Sequence, residues 1–392
     1  MRYHAWAIAV LAVALVSSAA GFAIAQESSS FSDSTVSAPD AAATQTTPVD
    51  SPASGGVTAP PAGSNLLNPN ISAIGWFQGQ AGDALDRTDT SAFQLREVEL
   101  GYQATVDPYS RADFFISVSP DEGIDVEEGY LTLLTLPAGF TAKLGKFRSN
   151  FGKFNRTHPP ETPFADRPLA AERFLGEEGL SGIGASVSWL APLPFYLNFD
   201  GEVTNTPDST SVPAFAEYRG KDLLYLARAS TFFDLGETTN LTLGGSYANG
   251  ANGPAETVDP LAVPDARRAQ LYGADATFRW KNPKRAIYRS LTAQFEWMAR
   301  DPDDGPRRTG GFAWADYQFA RRWHLGARYD WSQAIDAIAD DTTTGGLGFL
   351  TFTPSEFWSL SLQGQDRDFD GSEMSYFFKT TFNIGPHGQH PF

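Results

Sequence analysis

Cysteine is absent from all 392 residues, which removes disulfide frameworks, thiolate metal centres and thiol catalysis together. Histidine is scarce, at five. His4 lies in the opening segment, and His387 and His390 sit in a Pro/Gly-rich tail with no carboxylate nearby in sequence to complete a coordination shell. No metal and no cofactor is therefore expected. His324 shares a predicted strand face with Asp330, but no G-x-S-x-G elbow accompanies the pair, and no enzyme is expected. Positive charge is short: 29 Lys and Arg stand against 46 Asp and Glu, a net of −17, which excludes nucleic acid as a natural partner.

Long apolar runs are missing too. Past Gln26 none reaches the roughly 18 residues of a membrane helix, so hydropathy alone describes a soluble, secreted chain. The opening residues 1–25 explain the export. Arg2 supplies a positive start, AWAIAVLAVALV an apolar core, and Ala23-Ile24-Ala25 a small-residue cleavage site. A retained membrane anchor is the competing reading. Residues 27–64 contain no Lys or Arg and are mostly Ser, Thr, Ala, Pro and Gly. They bury too little to offset ordering entropy, so 26–67 is expected to be a disordered tether.

From Asn68 the texture is period two. In FYLNFDGEV, Phe195, Leu197, Phe199, Gly201 and Val203 share one face, with Asn198, Asp200 and Glu202 on the other. VELGYQATV, WHLGARYDW and SYFFKTTFNI repeat the pattern. Such runs fall near 70–80, 93–106, 109–118, 124–135, 139–147, 181–190, 194–205, 222–234, 239–249, 269–280, 286–299, 311–320, 322–332, 343–353, 356–366 and 374–384, sixteen in all. Short links (Asp107-Pro108, Pro137-Ala138, Arg321) alternate with long ones along the chain. An even strand count and this alternation predict an all-β fold over 68–392, a transmembrane antiparallel barrel with short periplasmic turns and long outer loops. The apolar face would meet lipid, with every backbone group paired by closure. Trp189, Trp280, Trp323 and Trp358 each fall on that face beside a short turn, as an aromatic girdle requires.

The stretch RSNFGKFNRTHPPETPFADRPLAAERF, residues 148–174, breaks the alternation. It is the third and longest outer loop, broken by four prolines that limit the entropy lost on ordering. Phe151, Phe154, Phe164 and Phe174 are placed to anchor it. Around it stand Lys143, Lys146, Arg148, Lys153, Arg156, Arg167 and Arg173, against Glu161, Asp166 and Glu172. We expect these charges to line a pore constriction with a mild preference for anions, the competing reading being a solvated loop. The rest of the lumen wall mixes signs, with Glu97, Glu99, Asp113, Asp200, Glu202, Asp275 and Glu296 against Arg279, Arg328 and Lys379. His158 is read as a plain loop residue.

NPNISAIGWFQG, LREVELGYQATVDPYSRADFFIS, VEEGYLTLLTLPAGFTAKLGKFRSNFGKF and the closing GPHGQHPF resemble an outer-membrane porin-like family. That family is similar to the phosphate-selective porins and includes members linked to zinc supply. The resemblance spans about residues 68–180 and the tail. It implies a water-filled channel for passive diffusion of small hydrophilic solutes or ions, in the outer membrane of a Gram-negative-type bacterium. The long third loop resembles the inward-folded constriction loop of general porins, and that likeness implies a homotrimer. Terminal Phe392 resembles the residue that barrel-assembly machinery reads, although Gly385-Pro386 and Pro391 depart from the usual form. No lysine cluster here matches the phosphate porins residue by residue, so phosphate specificity is not implied. Two alternatives stay open: a non-conducting structural or surface-display barrel, and a metal-linked (zinc) uptake protein. A receptor for active transport does not fit, because such barrels have about 22 strands and a folded plug.

Overall fold

A computed structural model describes residues 69–83, 91–121, 123–254, 265–282, 288–335, 342–368 and 371–385. The expected signal segment, the 26–67 tether, His387, His390 and Phe392 lie outside the described residues.

Period-two sequence becomes strand, and sixteen strands are formed among the described residues. They are β1 (Asn70–Gly82), β2 (Phe93–Asp107), β3 (Ser110–Ser119), β4 (Gly123–Leu133), β5 (Phe140–Arg148), β6 (Ser181–Leu190), β7 (Tyr196–Asn205) and β8 (Leu223–Asp234). The second half comprises β9 (Thr239–Pro254), β10 (Ala266–Lys281), β11 (Ser290–Pro302), β12 (Arg308–Ala320), β13 (Trp323–Gln333), β14 (Thr342–Ser355), β15 (Trp358–Asp368) and β16 (Ser372–Ile384). Each strand pairs antiparallel with its sequence neighbours. β1 then pairs with β16, from Ala73 opposite Ile384 to Gly82 opposite Ser375, and the sheet closes. Closure leaves no open edge and satisfies the backbone within the sheet, the condition a bilayer imposes.

The two faces separate as the alternation demands. Leu144, Val187, Phe199, Val203 and Tyr225 are exposed on the outer wall, while Glu99, Asp113 and Glu202 are buried inside. The four tryptophans lie at the rim of the short links. Phe140, Trp189 and Phe199 form a continuous stack with ring centroids 5.9 Å apart at each step. Trp189 Nε1 donates to the Ala138 carbonyl at 3.1 Å. Trp323 packs on Phe352 with centroids 4.7 Å apart, Trp358 Nε1 donates to Thr380 Oγ1 at 2.9 Å, and Trp280 pairs with Leu291 across β10 and β11.

The alternation of link length is looser than the sequence suggested. On the long-loop rim, links 120–122 and 369–371 are brief; on the opposite rim, link 282–289 is longer than either. Strand ends also extend beyond the alternating pattern, at β9 and β10. Their Gly/Asn/Ala-rich ends read as loop, yet Ala269 pairs with Gly250, Arg268 with Ala251 and Ala266 with Pro254. Backbone pairing there needs no alternating side chains, so the strands run past their amphipathic cores.

Candidate functional site

The segment after β5, residues 149–180, turns into the barrel instead of standing outside it. Only Glu177 and Glu178 in this span are exposed. Its entry is shaped by Gly152, at φ +65°, where a Cβ would stand 2.5 Å from the Glu296 carboxylate. Only glycine adopts that backbone without strain and admits that approach. The gain is a cap: Glu296 Oε1 accepts the Lys153 N–H at 2.7 Å and also the Phe154 N–H, while Glu202 Oε1 accepts the Asn150 N–H at 2.9 Å. Prolines then punctuate the middle of the loop. Pro159 and Pro160 open a short 3-10 turn, and Pro168 immediately precedes helix α1 (Leu169–Leu175), where a missing N–H costs little.

Apolar side chains seat the loop. Phe151, Phe164, Phe174, Leu175 and Leu180 are fully buried, in one cluster with wall residues Leu226, Leu271, Met298, Phe312 and Phe349. The Phe164 ring meets Trp314 and Phe349 edge-on, at 5.5 and 5.7 Å between centroids. The Phe151 ring occupies the space over Gly273, where a Cβ would come within 2.8 Å of it. The next long link, 206–222, joins the same cluster through Val212, Ala214 and Phe215, with the Ala214 N–H donating to the Phe174 carbonyl at 3.1 Å. Sequence reading missed this second inward segment; VPAF, at 212–215 within a polar link, was its signal.

Polar seating is as extensive. Arg328 is fully buried. It bonds Asp166 Oδ2 at 2.8 Å and Asp330 Oδ2 at 2.7 Å, and its guanidinium lies 4.5 Å from the centre of the Phe164 ring. Arg367 also bonds Asp166. Burial opposes the charge of Asp166, but Arg328 and Arg367 outweigh it and hold the carboxyl below its usual range. Lys379 Nζ donates to the carbonyls of Thr162 at 2.8 Å and Phe164 at 3.0 Å. Arg173 donates to the Ser332 carbonyl and to Thr343 Oγ1, both at 2.8 Å. Arg167 packs over the Phe154 ring, where burial, reinforced by Arg148, pushes its guanidinium down to about 10. Several residues expected to line open water (Glu202, Arg328, Lys379, Arg148, Asp166, Arg167 and Arg173) thus hold the loop in place.

Cavities lie on either side of the loop, and some of these same residues line them as well. Toward the short-turn rim, a chamber of about 600 Å³ is lined by six basic residues, Lys143, Lys153, Arg156, Arg111, Arg148 and Arg228, and three acidic ones, Asp113, Asp200 and Glu202. Arg279 is exposed near Lys153. Burial, then the neighbouring guanidinium groups of Arg279, Arg156 and Arg228, push Lys153 down to about 8. Glu161 lines a second chamber with Lys379, Arg321 and His324. His324 bonds Asp316 at 2.9 Å, while Asp330, on the same strand, is engaged by Arg328 and the Leu169 N–H. Toward the long-loop rim a third cavity has the opposite balance, with eight carboxylates, Glu97, Asp166 and Glu178 among them, and five basic residues.

Glu99 lies with His158, Glu127 and Glu128, a grouping the sequence did not disclose. Both adjacent glutamates are buried because β4 carries a bulge: Phe115 pairs with Glu128 and Ile116 with Val126, leaving Glu127 as the extra residue. Two consecutive acids in an otherwise alternating strand were the available signal.

No family model matches the chain. An uncharacterized protein of Aquifex aeolicus (strain VF5) is 34% identical to it over 337 residues, covering 76% of this chain and 70% of that protein. The chain belongs to the family of that protein. Among solved structures, Pseudomonas putida OprB superposes with a TM-score of 0.57 at 10% identity, covering 81% of this chain and 94% of that one. OmpF of Salmonella typhi, solved with daunomycin, gives 0.55 at 9% identity, with 82% and 98% covered. OmpT, an outer membrane protein of Vibrio cholerae, gives 0.52 at 9% identity, with 81% and 97% covered. At these identities the likeness is one of fold: a closed antiparallel barrel.

Proposed function

We propose that the chain is an outer-membrane channel through which small hydrophilic solutes or ions diffuse passively. Export by residues 1–25 and a tether over 26–67 belong to the same reading. The observation that carries it is the opposition of surfaces: an apolar outer wall, a charged interior, and an inward loop with polar cavities on both sides. A sixteen-stranded barrel is wide enough to leave an aqueous lumen, and residues 149–180 narrow it. The basic excess around Lys143, Lys153 and Arg156 favours anions at the narrow zone, although the chain as a whole is acidic. OmpT of Vibrio cholerae has been solved in a trimer form, and a homotrimer is part of the proposal.

Reversal potentials across a planar bilayer in a salt gradient test the charge assignment. The wild-type chain should prefer anions, and Lys153→Glu combined with Arg156→Glu should move the potential toward cations. An unmoved potential would remove the constriction from the account.

One observation favours a second reading. The buried phenylalanines and the ion pairs of Asp166 anchor the loop as firmly as a plug, which suits a non-conducting barrel that displays its loops. Persistent absence of current from correctly folded protein would select that reading.

A further inference from the structure

A second device is built where the loop passes β2 and β4. Both strands are bulged: Arg96 is the extra residue of β2, as Glu127 is of β4. The bulges re-aim side chains, and Glu97, Glu99, Glu127 and Glu128 all end buried. Into this acidic nest the loop inserts His158, fully buried, with the Phe115 ring 5.3 Å away. Its Nδ1 lies 2.8 Å from Glu127 Oε2 and 3.1 Å from Glu99 Oε2, and its Nε2 lies 2.8 Å from Glu128 Oε1.

Carboxylates crowd together here. Glu97, Glu99, Glu127 and Glu128 meet His158 and Arg148, whose Nη2 is 2.6 Å from Glu127 Oε2. Glu97 is 7% exposed, its carboxyl lies against that of Glu127, and its Oε1 has no hydrogen-bond partner among the described residues. Carboxylates crowded this closely favour a further cation between them, a shared proton or a metal ion.

We propose that Glu99, Glu127 and His158 bind a divalent transition-metal ion that pins the third loop to the barrel wall. One ligand atom from each of the three lies within 4.8 Å of the others, close to the roughly 3.3 Å between donors of a tetrahedral ion, so small side-chain rotations complete the site. An ion on Nδ1 leaves Nε2–H to donate to Glu128, the outer carboxylate that orients metal-bound histidines. Glu97 is placed to complete the shell. A mixed imidazole and carboxylate set suits first-row transition ions, whereas calcium wants six to eight oxygens. Arg148 shares the Glu127 oxygen and sets the affinity below that of an unopposed triad. The ion has a route, since Glu97 and Glu127 line the cavity on the long-loop side.

The test uses the full chain, folded in detergent, stripped with chelator and incubated separately with Zn²⁺, Mn²⁺ and Ca²⁺. After desalting, bound ion is counted by elemental mass spectrometry, and the unfolding midpoint is recorded. The proposal expects one transition ion per chain, no retained calcium and a midpoint raised by several degrees. It further expects at least a tenfold loss of affinity in Glu99→Gln and His158→Gln. A His387→Ala, His390→Ala variant should keep the ion. Glu99→Gln is nearly isosteric, and the wild-type count stands even if the His158 variant misfolds. No retained ion, retention unaltered by Glu99→Gln, or loss with the tail variant would each overturn the site. The ion count is independent of conductance, so this inference and the channel reading fail separately.

Discussion

Arg328→Met is the sharpest probe of how the loop is held. The substitution keeps most of the side-chain volume against Phe164 and removes one charge. Asp166 and Asp330 then lose a partner that is fully buried and 2.8 and 2.7 Å away. Breaking a buried pair from one side costs about 3–5 kcal/mol. Arg367 and Gln363 still reach Asp166, which places the expected cost at the lower end. At 1.36 kcal/mol per tenfold, a cost of about 3 kcal/mol raises the open-loop population roughly 10²-fold. Trypsin reads that population, because Lys153, Arg156 and Arg173 lie inside the loop and cleavage under fast reclosing follows the open fraction. Arg328→Met should be cut roughly 10² times faster within 149–180 in an otherwise intact barrel. Adding Asp330→Asn should recover part of the loss, since Asp330 then carries no orphaned charge and Asp166 keeps Arg367. Cleavage of Arg328→Met at the wild-type rate would refute the claim that these charges seat the loop.

Gly273→Ala places a Cβ 2.8 Å from the Phe151 ring; overpacking of about 1–3 kcal/mol should speed the same cleavage, and adding Phe151→Leu should slow it again. Anion preference should fall as pH rises through about 8, where Lys153 loses its proton, and should be absent from the pH profile of Lys153→Met. Because the Lys153 pKa is lowered on folding, the folded loop binds fewer protons than the unfolded chain between about 8 and 10.5. Stability therefore rises with pH over that window, and circular dichroism should show no unfolding accompanying the lost selectivity. Trp189→Ala removes two aromatic contacts worth roughly 0.5–1.5 kcal/mol each; its unfolding midpoint in lipid should drop, while Trp189→Phe should lie close to wild type.

The barrel was legible because a wall between two media writes itself into every second residue. FYLNFDGEV states its inward and outward faces without reference to any other strand, and β7 (Tyr196–Asn205) keeps that division. The prolines and phenylalanines of 148–174 likewise announced a segment that does not behave as a strand. What the loop touches was not legible. Lys379 meets Thr162 across 217 positions, and Arg328 meets Asp166 across 162. Local periodicity says that Lys379 and Arg328 face inward, but a charge that lines water and one that grips a loop have the same place in the pattern. The bulges were hidden for a related reason: an extra residue breaks period two for one step, and Glu127-Glu128 reads locally as one inward and one outward acid.

Single-channel recording in a planar bilayer tests the central claim most directly. Purified, refolded chain should give discrete current steps whose reversal potential lies on the anion side below pH 8, with larger steps for Arg328→Met. Folded barrel that inserts into the bilayer and passes no current would contradict the account.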